Sequence, residues 1–335
     1  MTGQVECKRV VKWSAISHQA LNDVGEILRH EGLLADNAAR PSSFEAVMKN
    51  PARVRVFAPE AWTQTDFFKI FQGGTHKLKA DGVKALSGVS NHFRKASLLY
   101  GLAIKILPNL QIDEQELMDK GHTSAINGAE LTAVLEEVFT ELYASVECIR
   151  KVITGIYAGT PKLPTDSTRR FFIRVMNDEI GSPFPQELIS AVKGCRWFEQ
   201  LRAIRDELTH ADIGHCSTDR ENKTVTYMHQ GVKDGDSSLV IIDAMRHIDD
   251  LASDIDLFAR DVFRYLNSQL QPTVVTQICG IFDGRVYVRN LPLDHSLTFH
   301  TGECISYAWF EDAEGRRCPF ADNCGAYYAA KGIDR

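Results

Sequence analysis

Apolar residues recur at three- and four-residue intervals along several stretches of this chain, and that spacing predicts helices. Ile16, Val24, Ile27, Leu28 and Leu33 share one helical face, with Gly32 and Asn37 near its end. Leu86, Val89, Phe93, Ala96, Leu99 and Ile106 define a second long helix, closed by Pro108. Between them, residues 39–82 are mixed, broken by Pro41, Pro51, Pro59, Gly73 and Gly74. Residues 108–127 are polar and read as loop. The most regular stripe runs through Leu131, Val134, Leu135, Val138, Leu142, Val146, Ile149, Val152, Ile153 and Ile156, and ends at Gly159 and Pro161. A shorter helix is expected over Thr168–Asn177. Another runs from about Pro185, a favourable first-turn residue, to about Ala211, on a stripe of Leu188, Val192, Trp197, Leu201, Ile204 and Leu208.

The pattern then changes. Thr224–Met228 and Ser238–Ile242 read as two strands, and Asp234-Gly235-Asp236 between them is a hairpin signal. Asp243 is placed to cap a further helix carrying Met245, Ile248, Leu251, Ile255, Phe258, Val262, Phe263 and Leu266. Beyond Pro272, short strands are expected at Thr273–Cys279, Arg285–Arg289, Ser296–His300 and Ile305–Phe310. The predicted fold class is mainly α. It comprises a helical region over residues 1–127, an up-and-down helical bundle over 128–271 with a β-hairpin between its third and fourth helices, and a small β-rich module over 272–335.

Composition narrows the classes. The 335 residues are 44% hydrophobic and 24% charged, which excludes global disorder, collagen and coiled-coil rods. With 38 basic against 44 acidic side chains the formal net charge is −6, so no whole-chain basic field exists to grip nucleic acid. Contact with RNA or DNA has to come from a local patch. The tail from 273 holds six basic and eight acidic residues and offers none. The longest greasy segment, Leu98–Leu107, is interrupted by Lys105 and falls short of the ~18 apolar residues that span a bilayer, so no membrane partner is expected. The first residues, MTGQVECKRVVKW, lack an apolar core followed by a small-residue cleavage site, and no signal peptide is read there. Eight cysteines lie at 7, 148, 195, 216, 279, 304, 318 and 324, without a dense disulfide framework, which implies a reducing, cytoplasmic compartment.

The segment richest in chemistry is Leu201-Arg202-Ala203-Ile204-Arg205-Asp206-Glu207-Leu208-Thr209-His210, late in the third bundle helix. An arginine, four residues and a histidine near the end of such a helix, with a polar residue after the arginine, resembles the HEPN superfamily. The resemblance covers about residues 128–270, including the hairpin between third and fourth helices that some HEPN branches carry. It implies a homodimer through these helices, with one cleft formed from two protomers. It further implies metal-independent RNA cleavage without a cofactor, in proteins that often serve as toxins or antiphage effectors. A regulatory protein or antitoxin is then an expected partner.

The residue types suit that chemistry. Histidine can accept and donate a proton near neutral pH. Arginine stays charged and offers a planar fork to phosphate oxygens. By the resemblance, His210 takes proton transfer or orientation, Arg205 phosphate stabilisation, and Asp206 the orienting of either one. Lys193, Arg196 and Arg202 join Arg205 as candidate RNA contacts; against Glu199 they leave an excess of three positive charges over residues 193–205. At ~100° per residue, Arg205 lies ~75° and His210 ~145° from the centre of the apolar stripe. Convergence therefore needs a frayed helix end or a facing copy of the helix.

A structural reading of the same residues stands beside this one. Arginine near a helix C-terminus meets the negative end of the dipole, histidine beyond it caps carbonyls, and Asp206 with Arg202 is an i, i+4 surface pair. On that reading the chain is a non-catalytic HEPN module that binds nucleotides or RNA or holds an assembly together. His215 and Cys216, just beyond, read as capping or packing residues. Cys279, Cys304, Cys318 and Cys324 offer four thiols in the tail. Zinc commonly uses Cys-x2–4-Cys knuckles, and the five-residue gap between Cys318 and Cys324 favours packing over metal, even with His300 as a substitute ligand. Phe71-Gln72-Gly73-Gly74-Thr75-His76-Lys77 lacks phosphate-loop spacing and reads as a turn. His92 and His122 read as surface or loop residues.

Overall fold

The computed structural model describes residues 64–219, 224–282, 284–294, 297–310 and 317–333. The amphipathic stretch expected over 16–33 lies outside them. The described chain forms two units, residues 80–262 and residues 64–79 with 263–333. It is mainly helical, with two small antiparallel three-stranded sheets. Among the described residues no helix is long and apolar enough to cross a membrane.

Helix α1 (Gln64–Phe71) belongs to the second unit, and α2 (Ala80–Ile106) opens the first. A helix, α3 (Leu110–Lys120), stands where residues 108–127 read as loop. Only Leu110 of it is buried, so no apolar stripe announces it. It is supported locally, by the i, i+4 pairs Glu116–Lys120 at 2.8 Å and Gln115–Asp119 at 2.7 Å and by Gly121, whose φ of +73° closes the last turn. The Asp113 carboxylate of α3 accepts from Asn127 Nδ2 at 2.6 Å and the Gly128 N–H at 2.8 Å, capping the next helix, α4 (Ile126–Ile156).

Helix α4 buries Leu131, Leu135, Val138, Leu142, Val146, Ile149, Val152 and Ile153, in agreement with the stripe. α2 runs antiparallel along it: Gly88 faces Cys148, His92 faces Glu141 and Lys95 faces Glu137. A Cβ on Gly88 would lie 2.6 Å from Cys148 Sγ, so the two helices meet too closely there for a side chain. Buried Glu141 binds His92 Nδ1 and Lys95 Nζ, each at 2.7 Å. Burial pushes its pKa up, but these bonds outweigh it and hold the carboxyl below its ordinary range. His92 is thus part of a helix–helix contact and not a loop residue.

α5 (Thr168–Met176) starts where expected, with the Ser167 hydroxyl accepting from the Arg170 N–H at 3.2 Å. The helix expected from Pro185 to Ala211 is in fact two, α6 (Gln186–Lys193) and α7 (Phe198–His210). Gly194 to Trp197 turn the chain, with Cys195 N–H donating to the Val192 carbonyl at 3.0 Å. Leu188 and Val192 on α6, and Phe198, Leu201 and Ile204 on α7, are all buried, so the apolar spacing carries on across a break it cannot reveal.

Strands β1 (His215–Asp219), β2 (Thr224–Asp234) and β3 (Ser237–Ile241) form a sheet in that order. The β2–β3 hairpin is the predicted one, with Gly235 at φ +60°. β1 carries no strand pattern of its own; it pairs His215 with Met228 and Cys216 with Tyr227. Asp243 accepts from the Arg246 N–H at 3.1 Å and caps α8 (Ala244–Ser268), as its position suggests. Helix α8 gives residues 244–262 to the first unit and 263–268 to the second. α2 packs on α4, and the end of α8 packs with α1: Phe68 and Phe263 lie 5.7 Å apart, and Asn267 Nδ2 donates to the Gln64 carbonyl at 3.0 Å.

His247 on α8 packs its ring 6.3 Å from Phe139. Burial pushes its pKa below the ordinary value, against an opposing pull from Asp250. The unfolded chain therefore binds a proton that the folded one resists. This contribution to stability is present above pH ~6.5 and lost as pH falls from there through the depressed folded value. Urea midpoints are expected to drop between about pH 7 and pH 5, with a shallower drop in His247→Gln. Parallel profiles for the two proteins would refute the assignment.

In the second unit, Gln72–Gly74 form a tight turn whose Gln72 carbonyl accepts from the Thr75 and His76 N–H groups at 3.0 and 2.7 Å. β4 (Val274–Phe282) and β5 (Arg285–Pro292) form a hairpin, and β6 (Glu303–Cys304) adds a short third strand. Two expected strands are corrected. Of Ser296–His300, the described residues 297–300 are loop and turn. Residues 306–310 form a short helix, α9 (Ser306–Phe310), started by Ser306, whose Oγ accepts from the Val288 N–H at 2.8 Å. A five-residue apolar run fits either state by pattern alone. The last helix is α10 (Gly325–Ala330), so the tail mixes strands with short helices.

Candidate functional site

The Arg-x4-His segment occupies the second half of α7, which remains helical through His210. The helix is held from below by aromatic packing. Phe198 stacks on Phe172 with ring centroids 3.7 Å apart, and Tyr143 of α4 stacks on Phe198 at 6.3 Å. The guanidinium of Arg205 lies over the Tyr143 ring, 5.0 Å from its centroid. Arg205 Nη1 also donates to Asp206 Oδ1 at 3.1 Å. Burial pushes the Tyr143 pKa up, with the Arg205 charge opposing. Glu147 is held below the ordinary carboxylate range: burial would raise it, but Lys151, Arg150 and Arg205 prevail.

Asp206 grips a second cation. Arg202 Nη1 donates to Asp206 Oδ2 at 2.5 Å, and Arg202 Nε donates to Glu199 at 3.0 Å. Burial would lower the Arg202 pKa, but these carboxylates overcome it and raise the value further. The i, i+4 pair of the structural reading is therefore present, and Asp206 also accepts from its neighbour Arg205. Lys193 is engaged by Asp178, at 2.6 and 2.7 Å. Arg196 is exposed and its side chain makes no hydrogen bond or ion pair among the described residues.

His210 is exposed at the helix end, and its imidazole likewise has no such partner among the described residues. It does not cap α7; the Ala211 N–H closes the helix on the Glu207 carbonyl at 2.8 Å. Five positions of helix put ~140° of rotation and ~7.5 Å of rise between Arg205 and His210. One chain brings Arg205, Arg202 and Asp206 together and leaves His210 apart.

The segment after His210 is bolted down by residues that the sequence does not single out. Glu136 of α4, 9% exposed, accepts from the Gly214 N–H at 2.5 Å and the Tyr227 hydroxyl at 3.1 Å. Thr132 Oγ1 accepts from the Cys216 N–H at 2.9 Å, so Cys216 is anchored as a buried packing residue. Gly214 is required by contact, because a Cβ there would lie 2.5 Å from the Tyr227 ring. His229, 1% exposed, sits at the β2 bulge with Nε2 3.1 Å from the Asp212 carbonyl and Nδ1 accepting from the Gly231 N–H at 3.2 Å. Its Nε2–H tautomer satisfies both partners. Thr132 and Glu136 are two of several polar residues on the buried face of α4, and nothing in the sequence sets them apart from Glu141, Ser145 or Arg150. No known protein family, curated protein or solved structure matches this chain, so the site stands on its own geometry.

Proposed function

We propose that the chain is a homodimeric, HEPN-type, metal-independent endoribonuclease with the end of α7 as its catalytic edge. The observation that supports this best is the contrast between the two motif residues. Arg205 is fixed by Asp206 and Tyr143, whereas the His210 imidazole stands unengaged at an exposed helix end over an anchored loop. A preset cation and a free acid–base group are what transesterification of RNA requires. The ribose 2′-hydroxyl loses its proton to the base and its oxygen bonds to the neighbouring phosphorus. The bond from phosphorus to the 5′-oxygen breaks, and that oxygen takes up a proton. The products are a 2′,3′-cyclic phosphate and a 5′-hydroxyl, and DNA is spared because it lacks the attacking group. Exposed Arg196 adds a backbone contact. A toxin or antiphage role, restrained by an antitoxin, fits such an activity.

The test is incubation of the pure protein with single-stranded and structured RNA in EDTA, with the product ends identified. Cleavage leaving cyclic phosphate ends is expected from the wild type and a loss of at least about a hundredfold from His210→Ala. No cleavage by the wild type, or full activity in the variant, overturns the reading.

A second reading, a non-catalytic assembly or nucleotide-binding module, is favoured by one observation. Of the four candidate cations, Arg202, Arg205 and Lys193 are already held by Asp206, Glu199 and Asp178. RNA would have to displace those carboxylates. Binding without cleavage in the same experiment is the outcome that selects this module.

A further inference from the structure

Four cysteines from four separate places in the second unit converge on one cavity. Cys279 is the bulged residue of β4, between Ile278 and Gly280, and the extra residue re-aims its side chain. Cys304 ends β6, Cys318 lies in the turn before Ala321, and Cys324 precedes α10. None is in a disulfide. All four line a cavity of about 20 Å³, walled by Phe299, Phe320 and Tyr327, with room for one atom-sized occupant.

Every one of these sulfurs is also a hydrogen-bond acceptor. Arg289, 2% exposed, donates from Nε to Cys279 Sγ at 2.8 Å and from Nη2 to Cys324 Sγ at 3.5 Å. The backbone N–H groups of Tyr307 and Phe320 serve Cys304 and Cys318. A guanidinium and amides aimed at sulfur are the donors that satisfy the lone pairs of a metal-bound thiolate. Arg289 is itself fixed by the Phe299 and Thr301 carbonyls, at 2.6 and 3.0 Å. The turns beside these cysteines are drawn tight: a Cβ on Gly325 would lie 2.6 Å from His300 Cβ, and one on Gly302 would lie 2.2 Å from the Asn290 carbonyl oxygen.

We propose that Cys279, Cys304, Cys318 and Cys324 bind one zinc ion as four thiolates, with Arg289 as the fixed cation that offsets the surplus negative charge. Zinc(II) displaces four thiol protons to solvent, four Zn–S bonds form, and no electron moves. The resulting Zn(Cys)4 centre carries two negative charges, of which Arg289 balances one. Among the described residues no three His, Cys, Asp or Glu side chains already stand as a metal-binding set. The site is structural, with four protein ligands and no open position. It gives the tail, where Ala321, Cys324, Ala326 and Tyr327 form one small buried cluster, a further centre to fold around. The inference rests on none of the α7 residues.

The experiment uses the full chain, purified without chelator and under reducing conditions. Elemental analysis is expected to find one zinc per chain. Cobalt(II) is expected to replace it with the intense visible bands and sulfur-to-metal charge transfer of a tetrahedral thiolate site. Cys195→Ser, outside the cluster, is expected to keep the metal, and Cys324→Ser to lose the tetrathiolate spectrum. Arg289→Met is expected to keep one metal per chain at about 10–100-fold weaker affinity. Should Cys324→Ser fail to fold, the wild-type cobalt spectrum decides alone. Absence of both bound zinc and cobalt charge transfer overturns the proposal, as does an intact mass four hydrogens short, which marks two disulfides.

Discussion

Glu136→Ala is expected to lower the unfolding free energy of the first unit by about 3 kcal/mol, the largest stability effect of any single polar residue near α7. The carboxylate accepts from the Gly214 N–H and the Tyr227 hydroxyl, and the rest of its surroundings are closed. Hydrogen bonds to a charged group each contribute roughly 1.5–3 kcal/mol, and alanine leaves the buried Tyr227 hydroxyl and the half-buried Gly214 N–H without this acceptor. Burial, with the Glu136 charge beside it, pushes the Tyr227 hydroxyl pKa up, which favours its role as a donor. Tyr227→Phe removes one donor cleanly and is expected to cost about 1 kcal/mol. The double variant should fall short of the sum, because the phenol is no longer there to be orphaned. Urea denaturation of the four proteins measures this cycle. A Glu136→Ala variant within about 1 kcal/mol of wild type would show that these hydrogen bonds do not anchor the segment after His210.

Where burial is continuous along one element, the sequence is readable. The α4 stripe emerges at its predicted face, and on α2 Leu86, Val89 and Ala96 are buried as predicted while Phe93, Leu99 and Ile106 are only half-buried; a helix that buries one side must repeat its apolar residues every three or four positions. Where stability is local or the pattern short, that reading fails. α3 buries only Leu110 and is held by side-chain pairs and a glycine cap, neither of which makes a stripe. The break between α6 and α7 leaves the apolar spacing intact, and α9 is too brief for any period to show.

The candidate site is legible in its residues and not in its couplings. Arg205 and Asp206 are neighbours in sequence and meet on one helix, whereas His210, on the same helix, stays apart from them. Tyr143, Glu136 and His229 reach the site across 62, 74 and 19 residues measured from Arg205 or His210, through pairings that only the tertiary fold creates. The same reason hides the four-thiol cavity. Its members come from a bulge, a strand end, a turn and a helix start, and no knuckle spacing links them.

Mixing two inactive variants is expected to restore RNA cleavage to about a quarter of the wild-type rate. Arg205→Ala removes the preset cation and His210→Ala the acid–base group, and each homodimer is expected to lose at least about a hundredfold. On one α7 the two side chains leave the helix ~140° apart and ~7.5 Å along it, with Arg205 turned back onto Tyr143. On the proposed reading, a phosphodiester at this edge takes the guanidinium from one copy and the imidazole from the other. In a randomly exchanged mixture half the dimers are mixed, and in each of these one of two pairings is whole, which gives the quarter. Subunits are exchanged by mild denaturant or co-expression, and the rate is followed on a fluorogenic RNA. If both groups act from the same chain, every pairing in a mixed dimer lacks one of them and the mixture stays as inactive as its parents. Arg205→Lys sharpens the result. A lysine keeps the charge but not the planar fork over Tyr143, so activity is expected to stay well below wild type even though the ion pair with Asp206 can re-form.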